Sequence, residues 1–119
     1  MFDNVSVLIV EDELFTALEL AEEVIERGGR VLGPATSVRS ALAILESETP
    51  DIAVLDAMLP DNDVSPVSTL LSAKRVPFVV YTGSLPTAKV AEGVPVLQKP
   101  LPARRVMETL AELLNRKAA

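Results

Sequence analysis

The apolar residues of this chain follow two rhythms. Unbroken runs, Val5-Ser6-Val7-Leu8-Ile9-Val10, Ile52-Ala53-Val54-Leu55, Phe78-Val79-Val80-Tyr81 and Val94-Pro95-Val96-Leu97-Gln98, alternate with segments whose apolar side chains recur at helical spacing. A strand reads as a continuous apolar run when helices cover both faces of its sheet. Strands alternating with helices in this way point to a parallel α/β domain.

After Asp12, residues Leu14, Leu18, Ala21 and Ile25 form one helical stripe, which Gly28-Gly29 stops. The segment from Arg30 to Ala35 reads as a short second strand. Ser37 is placed to cap a helix with the stripe Val38, Ala41, Leu42 and Leu45. Pro50-Asp51 introduces the third strand. Ser65 stands as a cap and Pro66 as the first residue of a helix carrying Val67, Leu70 and Leu71. Pro77 opens the fourth strand. The stretch from Leu85 to Gly93 leaves room for about two turns of a fourth helix. Pro102 opens the last helix, with Val106, Leu110, Leu113 and Leu114 inward. Leu14, Leu18, Leu42, Leu45, Leu110 and Leu113 are assigned to the core. The pattern predicts five strands and five helices, the fourth helix short. Right-handed crossovers favour a flavodoxin-like doubly wound sheet of order 2-1-3-4-5.

That order gathers polar residues at one edge. Glu11-Asp12 follow the first strand, Asp56 the third, Thr82-Gly83 the fourth and Lys99-Pro100 the fifth. Glu11, Asp12 and Asp56 fall where the first and third strands lie side by side and the winding reverses. Ligands of open α/β sheets bind at that crevice.

Composition narrows the chemistry. A length of 119 residues suits one domain over 1–119. There is no cysteine and no histidine, which removes disulfide, thiol and imidazole chemistry; a bound metal must then be hard and held by oxygen. A net charge of −6 argues against a nucleic-acid partner. No apolar run approaches the ~20 residues of a membrane span, and no signal pattern opens the chain. A cytoplasmic location is the expectation.

Three converging carboxylates repel one another unless a cation joins them, and Mg²⁺ suits a few carboxylates, retained waters and a phosphate oxygen. Asp56, after the central strand, is the best-placed nucleophile, because a carboxylate can take a phosphoryl group as an acyl phosphate. Such a transfer needs positioning and charge neutralisation more than acid–base work. Lys99 offers a point charge and Thr82 a hydroxyl, and Gly83 permits close backbone approach. Each residue alone has an ordinary reading: Glu11-Asp12 as a helix cap, Asp56 and Thr82-Gly83 as turns, Lys99 as surface charge. The weight lies in the set occurring after four strands in order.

Val10-Glu11-Asp12-Glu13, Leu55-Asp56, Leu59-Pro60, Thr82-Gly83 and Gln98-Lys99-Pro100 together resemble a response-regulator receiver (CheY-like) domain, over nearly the whole chain. The resemblance implies Asp56 as phosphoacceptor from a histidine-kinase phosphohistidine. It implies Mg²⁺ ligation by Glu11, Asp12, Asp56 and the backbone carbonyl of Met58, with Thr82 as switch hydroxyl and Lys99 as the phosphate-binding lysine. It also implies a cis Lys99–Pro100 bond. Two departures stand out: Val96 occupies the usual fifth-strand aromatic position, and Asp63 precedes Val64 rather than glycine. The short interval from Thr82 to Lys99, Val64-Ser65-Pro66-Val67 and Val76-Pro77-Phe78-Val79 resemble the FAT GUY subgroup of stand-alone receivers, which implies HWE-type sensor kinases.

The expected function is a phosphoacceptor of a two-component system, fed by a sensor histidine kinase or phosphotransfer protein. It is no enzyme beyond self-catalysed transfer to its own aspartate. It signals through a downstream protein partner or acts as a phosphate sink, as a monomer or weak homodimer. Movement of the loop from Thr82 to Pro86 would carry the signal. Rival readings are a degenerate pseudo-receiver acting only as a binding module, and a receiver fragment of a longer regulator or hybrid kinase. A metal-dependent phosphatase is disfavoured, because Ala57 and Met58 leave no second acid beside Asp56.

Overall fold

The computed structural model describes residues 1–83 and 93–118. Five parallel strands, β1 (Ser6–Val10), β2 (Arg30–Ala35), β3 (Ile52–Leu55), β4 (Phe78–Thr82) and β5 (Val96–Gln98), form one sheet in the order β2-β1-β3-β4-β5. Helices α1 (Leu14–Glu26), α2 (Val38–Ser47), α3 (Ser65–Ala73) and α4 (Ala103–Ala118) cover it. This is the flavodoxin-like order expected from the strand pattern. The four helices are those of the described residues, and the short helix expected from Leu85 lies outside them.

The continuous apolar runs arise because successive residues face two different cores. Leu8, Val10, Ala53, Leu55, Phe78 and Val80 pack beneath α2 and α3 with Val38, Ala41, Leu45, Val67 and Leu71. Val7, Ile9, Ile52, Val54, Val79 and Tyr81 pack beneath α1 and α4 with Leu20, Val24, Val106, Met107 and Leu110. Burying each large aliphatic contributes roughly 1.5–3 kcal/mol, and both faces are filled over the central strands β1, β3 and β4, which are apolar apart from Ser6 and Thr82 at their ends, whereas the edge strands β2 and β5 are partly exposed and carry Arg30 and Gln98. The register pairs Val10 with Leu55, Leu55 with Val80 and Thr82 with Gln98, so the carboxyl ends finish nearly level.

Two expectations need correction. The buried stripe of α1 is Ala17, Leu20 and Val24 with half-buried Ala21, whereas Leu14, Leu18 and Ile25 are exposed. Two stripes of helical spacing coexist in this segment. The one with the smaller Ala17 turns inward, where α1 lies close against β1, β2 and α4. The cap of α3 is not the Ser65 side chain: the Asp63 carboxylate accepts the Ser65 N–H at 2.8 Å, one residue before the helix's Val64 N-cap. The strand β2 runs over the expected residues and carries an irregularity, with Gly33-Pro34 standing opposite Ile9. Gly33 has φ +94°, and a Cβ there would sit 2.5 Å from the Ala35 nitrogen, so only glycine fits. Ser37 caps α2 as expected, in a reciprocal box with Ser40.

Candidate functional site

The polar residues after the strands meet at one pole of the sheet. The Glu11 N–H donates to the Ala35 carbonyl (2.8 Å) and the Asp56 N–H to the Val10 carbonyl (2.9 Å), which continues the ladder one residue beyond the strands. Carboxylate oxygens of Glu11, Asp12 and Asp56 lie within 4.8 Å of one another. Lys99 reaches in from the opposite side. Its ammonium pairs with Glu11 Oε1, approaches Asp56 Oδ2 at 3.3 Å and stands 3.8 Å from Glu13 Oε2. Its backbone N–H donates to the Thr82 carbonyl at 2.8 Å, so Thr82, itself buried, is fixed beside it. The Lys99–Pro100 peptide is cis, as the resemblance implies.

The loop after β3 folds back as a small hairpin. The N–H of Leu59 donates to the Asn62 carbonyl and that of Val64 to the Ala57 carbonyl, both at 3.0 Å, with a bridge between Met58 and Asp63. This leaves Met58 exposed beside Asp56, whose Oδ1 accepts the Met58 N–H at 3.4 Å. Asp61, further along, accepts the N–H groups of Val38 and Arg39 at the start of α2 (2.9 and 3.1 Å). Those two backbone N–H groups hold its carboxyl below the usual range. Nothing in the sequence spacing marked Asp61 for that contact.

Crowding shows in the protonation of the buried members. Burial pushes the Glu11 carboxyl up to about 7, the Asp56 carboxylate adds to the rise, and Lys99 opposes it. Burial drives the Lys99 ammonium down, but its bond to Glu11 and the charges of Glu11 and Asp56 outweigh this and leave it above the ordinary lysine value. Glu11 is 2% exposed, and its Oε2 is buried with no hydrogen-bond partner among the described residues. A buried, unpartnered carboxylate oxygen beside two further carboxylates is a donor set that fits a hard divalent cation.

No protein-family model matches the chain. It is similar to SdrG from Sphingomonas melonis Fr1, at 34% identity and TM-score 0.78, over 92% of this chain and 96% of that one. It is also similar to the signal receiver domain of a putative Luxo repressor protein from Vibrio parahaemolyticus, at 26% identity and TM-score 0.77, over 94% and 91%. The chain is a response-regulator receiver. Among curated proteins, this receiver matches the transcriptional regulatory protein PdtaR of Mycobacterium tuberculosis at 34% identity over 77 residues, 64% of this chain and 38% of that protein. The receiver spans less than half the length of the curated relatives it matches.

Every predicted site residue of the receiver reaches this pole: Glu11, Asp12, Asp56, Met58, Thr82 and Lys99. Two contacts escaped the sequence reading. Glu13 stands within ion-pair distance of Lys99, and it also accepts the Thr16 hydroxyl at 2.8 Å. Tyr81 lies under Lys99, with the ammonium 5.6 Å from its ring centroid. The chain's single tyrosine within an apolar strand is a usable signal, because a buried phenol needs a partner for its hydroxyl.

Proposed function

We propose that this receiver, a single domain over 1–119, is the phosphoacceptor of a two-component pathway and that Asp56 takes the phosphoryl group of a kinase phosphohistidine. The observation that carries this is the cluster itself: three carboxylates within 4.8 Å of one another, an unpartnered buried Glu11 oxygen, and Lys99 at 3.3 Å from Asp56. A carboxylate oxygen of Asp56 forms the new O–P bond as the N–P bond breaks, and the imidazole nitrogen keeps the released electron pair. Glu11, Asp12, Asp56 and the Met58 carbonyl would hold Mg²⁺, which supplies charge neutralisation at the phosphoryl oxygens when bound. Lys99 holds one phosphoryl oxygen as a fixed charge, and the Thr82 hydroxyl holds another. The Thr82-Gly83 core shared with the FAT GUY pattern supports an HWE-type sensor kinase as donor. With net charge −6, output through a protein partner is the simplest course. No helix among the described residues is long and apolar enough to cross a membrane, and a cytoplasmic setting suits such a kinase partner.

The test is incubation with acetyl phosphate and Mg²⁺, followed by intact-mass analysis. A phosphoryl adduct that needs Mg²⁺ and disappears in Asp56→Asn is expected. No adduct, or one that survives the substitution, overturns the reading. One observation favours a second reading, a binding module that is never phosphorylated: Lys99 already closes on Glu11 and Asp56 and competes for the cation's place. Absence of any response to Mg²⁺ with beryllofluoride would favour that alternative.

A further inference from the structure

The turn that carries Lys99 is unusually poor in hydrogen-bond donors. In the run Lys99-Pro100-Leu101-Pro102 both prolines lack an N–H, so only Lys99 and Leu101 can anchor the backbone by donating. The two donors go to consecutive residues of β4. The Lys99 N–H reaches the Thr82 carbonyl at 2.8 Å, and the Leu101 N–H reaches the Tyr81 hydroxyl at 3.0 Å. The same hydroxyl donates back to the Leu101 carbonyl at 3.0 Å. Tyr81 is thus fastened to one residue of the turn through both of its backbone polar groups. It is 6% exposed and packed in the core beneath α1 and α4, and its ring lies under the Lys99 ammonium. A ring held this way cannot rotate outward without losing both bonds.

We infer that Tyr81 is a positioning residue for phosphoryl transfer: its hydroxyl pins Leu101, and so fixes the turn that aims the Lys99 ammonium at Asp56. The inference rests on the phosphoacceptor reading. It assigns the aromatic on this side of the pocket a fixed, structural hold on the lysine, from β4, in a chain where β5 carries Val96 instead of an aromatic side chain.

Tyr81→Phe keeps the ring and its packing and removes only the two hydroxyl bonds. Initial rates of Mg²⁺-dependent labelling by acetyl phosphate are measured for the wild type, Tyr81→Phe, Lys99→Ala and the double variant. Loosening a positioning contact should slow Tyr81→Phe about tenfold. In the Lys99→Ala background the same change should alter the rate by less than about twofold, because nothing remains to be aimed. A role in stability alone would lower the melting temperature and leave the rates of folded protein unchanged, and that result overturns the inference. So does an equal loss in both backgrounds. If the wild type itself takes no label, the acceptor reading falls and this inference falls with it; wild-type labelling with an unaffected Tyr81→Phe defeats this inference alone. Should Tyr81→Phe not fold, the wild type still reports, because Tyr81 is the single tyrosine of the chain. With 3-fluorotyrosine incorporated, its fluorine resonance should shift when Mg²⁺ and beryllofluoride are added to the wild type and stay in place in Lys99→Ala. A resonance unmoved in the wild type overturns the inference.

Discussion

The two ends of the same sheet treat their carboxylates in opposite ways. At the amino end, Asp51 accepts the Ser6 N–H at 2.8 Å and the Ser6 hydroxyl at 3.2 Å, and its own N–H reaches both the Ser6 hydroxyl and the Ser6 carbonyl. Each of these polar groups is partnered within one small ring that ties β1 to the start of β3. At the carboxyl end, carboxylate oxygens of Glu11, Asp12 and Asp56 crowd within 4.8 Å of one another, and one Glu11 oxygen is buried without a partner among the described residues. Such crowding works against the fold, because an unsatisfied buried polar group costs about 1–3 kcal/mol, and a bound cation would relieve it. The satisfied end stabilises the fold, and the frustrated end is the one that the proposed function puts to use.

The largest effect should come from Lys99. Replacing it by Ala removes the charge facing the acceptor, and Mg²⁺-dependent labelling of Asp56 should slow by about 100-fold, equivalent to about 2.7 kcal/mol. Mg²⁺ should meanwhile bind more tightly, since a competing cation has gone. Labelling at the wild-type rate would show that the ammonium belongs to the fold and that the contrast between the two ends is false. At the other end, Asp51→Ala leaves the buried Ser6 N–H unpaired and should cost about 2 kcal/mol in denaturant unfolding, with labelling of the folded protein unaltered.

Glu11→Gln should do the reverse. The amide keeps the shape and removes a crowded charge, so the metal-free protein should gain about 1 kcal/mol at pH 8 while losing Mg²⁺ affinity. The pH dependence gives the sign independently. The folded value of Glu11, about 7, lies above the ordinary 4.5. The folded chain therefore keeps a proton in that interval that the unfolded chain has released, and stability in chelator should fall as pH rises from 4.5 to 7, then level off. The slope is at most about 1.4 kcal/mol per pH unit for one proton, and it should vanish in Glu11→Gln. A wild type whose stability rises through the same interval would contradict the crowded assignment.

The sheet and most of the site were legible in the sequence for one reason. The central strands are buried on both faces and nearly all apolar, so Glu11, Asp56 and Thr82 announce themselves where each apolar run ends, while Lys99 follows Gln98 at the end of the partly exposed edge strand β5. The stripe of α1 was not legible in the same way. Leu14, Leu18 and Ile25 have the same period as Ala17, Leu20 and Val24, and periodicity alone does not say which faces the sheet when the smaller residue is the buried one. The Asp63 and Asp61 caps escaped because a carboxylate in a loop can reach several N–H groups, and only the hairpin after β3 decides which. Tyr81 escaped because its partner, Leu101, lies on a different strand's turn.

The smallest effect separates burial from mere proximity within the crowded end. Glu13 approaches Lys99 at 3.8 Å, nearly as near as Asp56 does, but its side chain is 62% exposed where that of Glu11 is 3%. Water screens the exposed pair, and such pairs contribute about 0.2–1 kcal/mol. Glu13→Gln should therefore change unfolding free energy by no more than about 0.5 kcal/mol and the labelling rate by about twofold. The change should shrink further at high salt, where exposed charges lose what little they contribute. If Glu13→Gln instead matches Glu11→Gln in size, what matters at this edge is the number of carboxylates around Lys99, and the desolvation of Glu11 is not the source of its frustration.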